Sequence, residues 1–151
     1  IELAGILKDA LKLIKPLAEE RHVVVNEDFR DAAAVKVAGD PIRLKEVFPN
    51  VLSNAVKYNR EGGSVDIVSK LIDGDMLRIC VTDTGQGIPE AKYGEVFLPF
   101  SRLGAELSTV EGTGMGLTIS QKFMEGMGGD IGFESAVGIG STFWFDIPVA
   151  R

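Results

Sequence analysis

The chain has 151 residues, the size of one ordinary domain, so we expect a single domain over residues 1–151. Its composition, 45% hydrophobic and 25% charged, is typical of a soluble globular protein, and its net charge of −6 argues against a nucleic-acid-binding protein that depends on phosphate contacts. No apolar run approaches the roughly 20 residues that span a bilayer, so no direct membrane contact is expected. One cysteine, Cys80, and one histidine, His22, exclude an internal disulfide and a metal site built from several cysteines or histidines.

The first elements along the chain are a helix and two short strands. Residues 3–20 place leucines, isoleucines and alanines at steps of three and four, which predicts an amphipathic helix that ends near Pro16. The β-branched runs at 22–26 and 34–38 are separated by a polar, acidic stretch. This pattern favours a hairpin.

The second helix has the clearest signals. Asp40 and Pro41 provide an N-cap followed by proline in the first turn, and the apolar stripe continues to about Tyr58. Pro49 lies inside this helix, where it has no N–H to donate and crowds the preceding turn. A bend is therefore expected at Pro49.

Two strands, SVDIVSKLI and MLRICVTD, flank Asp73 and Gly74, a typical hairpin turn. In the second strand, alternate residues lie on one face, and that face carries three apolar residues followed by Asp83. A carboxylate is therefore predicted on the side of the strand that faces the core.

The last part of the chain holds an irregular segment, a helix and two strands. Residues 86–111 show little pattern apart from a possible helical turn near 90–96, and we interpret them as a mobile lid. Helical spacing returns from about Met115 to Met127, and the strands DIGFES and STFWFDIP follow. The order of elements predicts a two-layer α/β sandwich, with a mixed, mostly antiparallel sheet covered on one face by about three helices.

Three groups of residues are candidates for chemistry. On the second helix, Asn50, Asn54 and Lys57 fall with Glu46 within an arc of about 80°. Amide oxygens and an ammonium group suit Mg²⁺ and phosphate, although a solvated helix face explains the same pattern.

The segment DTGQGIP begins with Asp83, whose carboxylate can accept a hydrogen bond from an exocyclic amine such as adenine N6. Guanine presents a carbonyl oxygen at that position and would be repelled. Gly85 and Gly87 let the backbone turn sharply and approach a ligand. An aspartate that caps a turn after a strand is the alternative.

The segment GTGMGLTIS precedes the predicted third helix, and its unpaired N–H groups are suited to phosphate. Plain turns also contain such glycines. The spacing does not match the dinucleotide-binding fingerprint, and no Gly-Lys-Ser/Thr follows as in a Walker loop.

In this order, NVLSNAVKY (50–58), DTGQGIP (83–89), VFLPFSR (96–102) and GTGMGL (112–117) resemble the N, G1, F and G2 boxes of sensor histidine kinases. Nearly the whole chain is similar to the catalytic, ATP-binding domain of that family, which is related to gyrase B and to the heat-shock chaperone and mismatch-repair ATPases. The resemblance implies binding of ATP with Mg²⁺ and transfer of the γ-phosphoryl group to a histidine on a separate helical-hairpin dimerisation domain. A response regulator would be the indirect partner, and the location would be cytoplasmic.

The resemblance also implies roles for individual residues. Asn50, Lys57 and Arg102 would be the catalytic residues at the phosphates, Asn54 the Mg²⁺ ligand, and Asp83 the acceptor for adenine N6. The other residues expected around the nucleotide are Tyr58, Gly85, Gly87, Ile88, Phe97, Phe100, Gly112, Thr113, Gly114, Met115, Gly116, Leu117 and Thr142.

The sequence departs from the family at Pro49, where the family usually has an aliphatic residue, and in the absence of an acceptor motif. A kink at Pro49 would displace Asn50 and Asn54 and lower activity. Asn50 itself agrees with transfer rather than hydrolysis. ATP-hydrolysing relatives carry a glutamate at the position of Asn50, and asparagine cannot take a proton from water, so slow hydrolysis is expected. No H-E-x-x-x-P acceptor motif occurs in the sequence, and His22 is interpreted as a structural or surface residue, so the acceptor would lie in a separate part of the protein. Two alternatives remain, a nucleotide-sensing module without transfer, for which Pro49 would be the cause, and a serine-kinase anti-sigma factor.

Overall fold

The structure is a computed structural model, and it describes residues 1–72, 75–91 and 121–150. The helices in this part of the chain are α1 (Leu3–Glu20), α2 (Arg30–Ala34) and α3 (Pro41–Lys57). The strands are β1 (Val24–Asp28), β2 (Ser64–Ile72), β3 (Met76–Asp83), β4 (Asp130–Ala136) and β5 (Gly140–Pro148). Residues 121–126 are also helical, which agrees with a helix that ends near Met127; its predicted start lies outside the described residues.

The strands form one five-stranded sheet in the order β1-β2-β3-β5-β4. Strand β1 pairs with β2 in parallel, whereas the other neighbours are antiparallel, so the predicted mixed, mostly antiparallel sheet is confirmed. Ile72 pairs with Met76, as expected for a hairpin between β2 and β3. The turn residues between them lie outside the described part of the chain, as does most of the predicted lid.

The hydrophobic core lies between one face of the sheet and the helices. Alternate residues of β3 and β5 point into it, and the apolar stripes of α1 and α3 cover them. Phe48 of α3 meets Phe145 of β5 edge to face, with ring centroids 5.6 Å apart. This arrangement confirms the α/β sandwich.

Helix α1 continues through Pro16 to Glu20, so the predicted end near Pro16 is wrong. Pro16 is exposed and its ring faces solvent, and the turn that follows is fixed by burial of Ala18. The carbonyl of Ala18 also accepts a hydrogen bond from Val23 N–H at 2.9 Å. These contacts offset the single hydrogen bond that proline removes from the helix.

The hairpin predicted from residues 22–26 and 34–38 is also wrong. Strand β1 pairs with β2, and the second run contributes the end of α2 and one bridge between Val37 and Val149. An isolated two-stranded hairpin is marginally stable, whereas β1 joins the common sheet, and Val23, directly before it, is buried in the core. The long-range pairing therefore prevails over the local one.

Helix α3 begins as predicted. The Asp40 carboxylate accepts hydrogen bonds from Ile42 N–H at 2.9 Å and from Arg43 N–H at 3.4 Å, and Pro41 occupies the first turn. The helix runs without a break past Pro49, and the bend expected there stays a prediction. None of the helices in the described ranges is long and apolar enough to cross a bilayer.

Candidate functional site

A cleft opens between α3 and the sheet, beside the end of β3. Its walls are mostly apolar, with a few polar groups that converge on one end, which is typical of a small-molecule site. The lining residues are Val51, Asn54, Ala55, Tyr58, Val81, Asp83, Gln86, Gly87, Ile88, Ser141 and Phe143.

Asp83 lies at the polar end of the cleft, on the same strand face as the buried Val81, as the sequence predicts. Its Oδ1 accepts hydrogen bonds from Gly85 N–H at 2.9 Å and from Ser141 N–H at 3.2 Å. Among the described residues no donor is bonded to Oδ2. The carboxylate is thus fixed by the protein through one oxygen and retains an acceptor for a ligand through the other.

The electrostatics of Asp83 follow from its position. Burial raises the pKa of Asp83 above its ordinary value of 3.8, and the N–H groups of Gly85 and Ser141 lower it by less. Desolvation disfavours the charged form, while hydrogen bonds to it favour it. Holding an ionised carboxylate here therefore opposes folding of the ligand-free protein.

A pH-dependent stability follows. The pKa of Asp83 is raised on folding, so ionisation of this carboxyl lowers the stability of the folded protein. This destabilisation is absent below the pKa of the unfolded chain and complete above the pKa of the folded protein. We expect Asp83→Asn to melt at a temperature equal to or above wild type at pH 7, with the difference shrinking as the pH falls toward about 4 and absent below it. Thermal melts between pH 3 and 8, with the exposed Asp66→Asn as control, test this. A variant less stable than wild type by the same margin at every pH would contradict it.

Gly85 and Gly87 seat the segment after β3 against the rest of the protein. A Cβ at Gly85 would run into the carbonyl oxygen of Tyr58, at the end of α3. Gly87 has a φ of +76°, and a Cβ there would run into the carbonyl of Ala136. Glycine is required at both positions by close approach to protein backbone, which is a different reason from the predicted approach to a ligand.

Of the predicted site residues Asn50, Asn54 and Lys57 on α3, only Asn54 lines the cleft. Asn50, one turn earlier, is exposed, and Lys57 is half-buried at the end of the helix. In the described part of the chain no three acidic, histidine or cysteine side chains cluster as metal ligands. A single amide oxygen does fit Mg²⁺ that arrives with a polyphosphate, because Mg²⁺ keeps several waters and takes few protein ligands.

Thr142 does not line the cleft. Its hydroxyl lies 3.0 Å from that of Thr82, on the sheet face opposite the helices. Side chains alternate along a strand, so the neighbouring Ser141 points into the cleft instead, where it pairs with Asp83 across the strands. The expectation for Thr142 is therefore corrected by one residue, to Ser141.

Sequence reasoning also missed several cleft residues. Ser141 could have been found from the alternation in STFWF, since Phe143 and the buried Phe145 point inward. Val51 and Ala55 form the apolar wall beside Asn54 and were assigned only to the core. The predicted site residues that lie outside the described residues are Phe97, Phe100, Arg102, Gly112, Thr113, Gly114, Met115, Gly116 and Leu117.

Comparison with known proteins identifies the class. A sequence model described as histidine kinase-, DNA gyrase B-, and HSP90-like ATPase matches residues 39–151, and the chain belongs to this family. Within it, the chain is 37% identical to the sensor histidine kinase GacS of Pseudomonas protegens over 157 residues, which covers 99% of this chain and 17% of GacS. It is 35% identical to the signal transduction histidine-protein kinase BarA of Escherichia coli K12 over 150 residues, which covers 96% of this chain and 16% of BarA.

The fold is also similar to that of a histidine kinase catalytic domain. The nucleotide-free catalytic domain of histidine kinase ThkA has a TM-score of 0.82 and 27% sequence identity, over 98% of this chain and 95% of that one. The chain is thus a catalytic, ATP-binding domain of the sensor histidine kinase type. It spans about a sixth of the length of the curated relatives named above.

Proposed function

We propose that residues 1–151 form a catalytic domain that binds Mg-ATP in the cleft and transfers its γ-phosphoryl group to a histidine on a helical-hairpin dimerisation domain. A response regulator would be the indirect partner, in the cytoplasm. The observation that carries this proposal is the half-buried Asp83, which lines the cleft and is fixed through one oxygen by two backbone N–H groups, while no donor among the described residues is bonded to the other oxygen.

Adenine fits the polar end of the cleft. Its N6 amine can donate to the carboxylate of Asp83, whereas the carbonyl oxygen of guanine would meet a negative charge. The walls formed by Val51, Ala55 and Ile88 suit the faces of a purine ring. Tyr58, at the end of α3, offers an aromatic surface on the same side.

The phosphates would then follow α3. Asn54 would supply an amide oxygen to the metal ion that the nucleotide carries, and Lys57 and Asn50 would contact the phosphate oxygens. Bound Mg²⁺ would neutralise charge that develops on the β- and γ-oxygens. Phosphoryl transfer depends mainly on such positioning and charge stabilisation.

The chemical step balances without a further reactant. An imidazole nitrogen of the acceptor histidine attacks the γ-phosphorus, and a nitrogen–phosphorus bond forms while the bond to the β–γ bridging oxygen breaks. ADP leaves, and the imidazole loses its remaining ring proton to solvent. Asn50 cannot act as a base toward water, so transfer to an acceptor is favoured over hydrolysis.

The 151-residue chain incubated alone with γ-labelled Mg-ATP is expected neither to label itself nor to hydrolyse ATP quickly, because it has no acceptor motif and no base at position 50. Added to the helical acceptor domain of its own protein, it should label that domain with a bond that is lost in acid and kept in base. His22→Gln should leave transfer intact, because His22 is exposed and paired with Glu61 at 3.2 Å.

Each result has a distinct meaning. If the chain labelled itself and His22→Gln removed the label, our interpretation of His22 would be wrong. If ATP bound but no acceptor domain was labelled, transfer would be excluded and a nucleotide-sensing module would remain. A label that was stable in acid would instead favour transfer to serine.

A further inference from the structure

A row of three side chains crosses the sheet at the polar end of the cleft. Asp83 of β3 pairs with Ser141 of β5, and Ser141 pairs with Ser135 of β4. Cross-strand partners point to the same side of a sheet, so all three side chains face the helix layer. Asp83 and Ser141 line the cleft, whereas Ser135 stands behind them.

Ser135 connects three separate parts of the cleft wall. Its Oγ accepts a hydrogen bond from Ile88 N–H at 2.7 Å and lies 2.7 Å from the hydroxyl of Ser141. The same oxygen lies 3.2 Å from the carbonyl oxygen of Gly140, to which it donates. Ser135 therefore holds both the segment after β3 and the side chain of Ser141.

The bond to Ile88 fixes a residue that contacts the ligand site directly. Ile88 is buried, at 6% exposure, and lines the cleft three residues after Gly85. A second contact at the same edge, from Gly138 N–H to the carbonyl of Gln86 at 2.9 Å, joins this segment to the turn between β4 and β5. The position of the cleft wall formed by Gln86 and Ile88 thus depends on contacts with β4 and the turn after it, although β4 contributes no lining residue among those described.

We infer that Ser135 is a positioning residue that determines base selectivity, an inference that rests on the proposed function. Without its hydroxyl, the N–H of Ile88 would lose its acceptor and the hydroxyl of Ser141 would lose its partner. An unsatisfied buried polar group is costly, so the wall would rearrange around the two groups. We therefore expect weaker and less selective binding of the base, whereas the contacts of the phosphates, which lie toward Asn54, should not change.

Ser69 provides a matched control. Its Oγ accepts a hydrogen bond from Ala32 N–H at 3.0 Å and donates to the carbonyl of Asp28 at 3.3 Å, so it makes the same two kinds of backbone contact. Ser69 is buried at 5% exposure on β2, and it does not line the cleft. Ser69→Ala therefore measures what loss of a structural serine does when the cleft is untouched.

The experiment measures the affinities of the 151-residue chain for Mg-ATP and Mg-GTP by calorimetry, together with its melting temperature. Ser135→Ala is expected to reduce the preference for ATP over GTP about tenfold, as expected when the buried Ile88 N–H loses its hydrogen-bond acceptor. Ser135→Thr keeps the hydroxyl and should retain the preference. Ser69→Ala should lower the melting temperature and leave the preference unchanged.

The outcomes separate the selectivity role from the proposed function. If Ser135→Ala kept the wild-type ratio of affinities, Ser135 would be a structural residue only and the assignment would be overturned, while the proposed function would stand. If wild type itself showed no preference for ATP, the proposed function would fail together with this assignment. Should Ser135→Ala not fold, Ser135→Cys fills a similar volume with a poor hydrogen-bond acceptor. It should likewise reduce the ratio of the affinity for Mg-ATP to that for Mg-GTP.

Discussion

Asp83→Asn is expected to weaken ATP binding roughly 10- to 150-fold, because loss of a charge-assisted hydrogen bond costs about 1.5–3 kcal/mol. The asparagine can still accept the N–H groups of Gly85 and Ser141 through its own oxygen, so the segment after β3 should keep its place. In that arrangement its NH₂ group takes the place of the Asp83 Oδ2 and meets the N6 amine of adenine donor to donor. Affinity should fall without loss of the fold.

Isothermal titration of wild type and Asp83→Asn with Mg-ATP measures this effect. Asp66→Asn is the control, because Asp66 is an exposed carboxylate on the neighbouring strand β2 and lies outside the cleft. An Asp83→Asn variant with wild-type affinity and a normal melting curve would remove Asp83 from the adenine site. Together with the expected neutral or higher thermal stability at pH 7, a large loss of affinity would indicate that this carboxylate is retained for binding at the expense of folding stability.

Asn54→Ala should have the second large effect, at the other end of the cleft. The side chain is half-buried on α3 and lines the cleft, so its removal should leave the core intact. Loss of an amide oxygen from a metal ion is comparable to loss of a hydrogen bond to a charged group, about 1.5–3 kcal/mol, which corresponds to tenfold or more in affinity for Mg-ATP. The effect should depend on Mg²⁺.

Thermal melts with and without Mg-ATP detect it as a smaller ligand-induced stabilisation, since the shift grows with the ratio of ligand concentration to Kd. With the metal removed by chelation, wild type and Asn54→Ala should respond to ATP alike. Asn26→Ala removes an exposed amide on β1 and serves as control. Equal stabilisation of Asn54→Ala and wild type by Mg-ATP would exclude Asn54 as a ligand of the metal.

The elements with strong local signals could be predicted from the sequence. The cap of α3 at Asp40, the hairpin of β2 and β3, and the inward face of Asp83 follow from residue type and alternation within a few positions. The pairing of β1 with β2 could not, because the partner lies about 40 residues further along the chain. Such a pairing is decided by burial in the common core and not by the local pattern.

The same distinction applies to the site. The role of Gly85 depends on the carbonyl of Tyr58, and that of Gly87 on Ala136, and neither neighbour is visible in the local sequence. The role of Ser135 could not be predicted, because a serine on a strand is common and its hydrogen bonds with Ile88 and Ser141 join distant parts of the chain. Alternation along β5 points Ser141 toward the cleft and Thr142 away from it, whereas the expectation for Thr142 rests on the family resemblance alone.

The most direct test of the proposed adenine site is amide NMR of the ¹⁵N-labelled chain during titration with Mg-ATP and with Mg-GTP. The N–H groups of Gly85 and Ser141 donate to Asp83, and that of Ile88 donates behind it, so these three signals should shift with Mg-ATP at concentrations where Mg-GTP has little effect. Signals from Asn26 on β1 should not move. Equal responses to both nucleotides, or shifts confined to residues away from the cleft, would contradict the assignment of this cleft as the adenine nucleotide site.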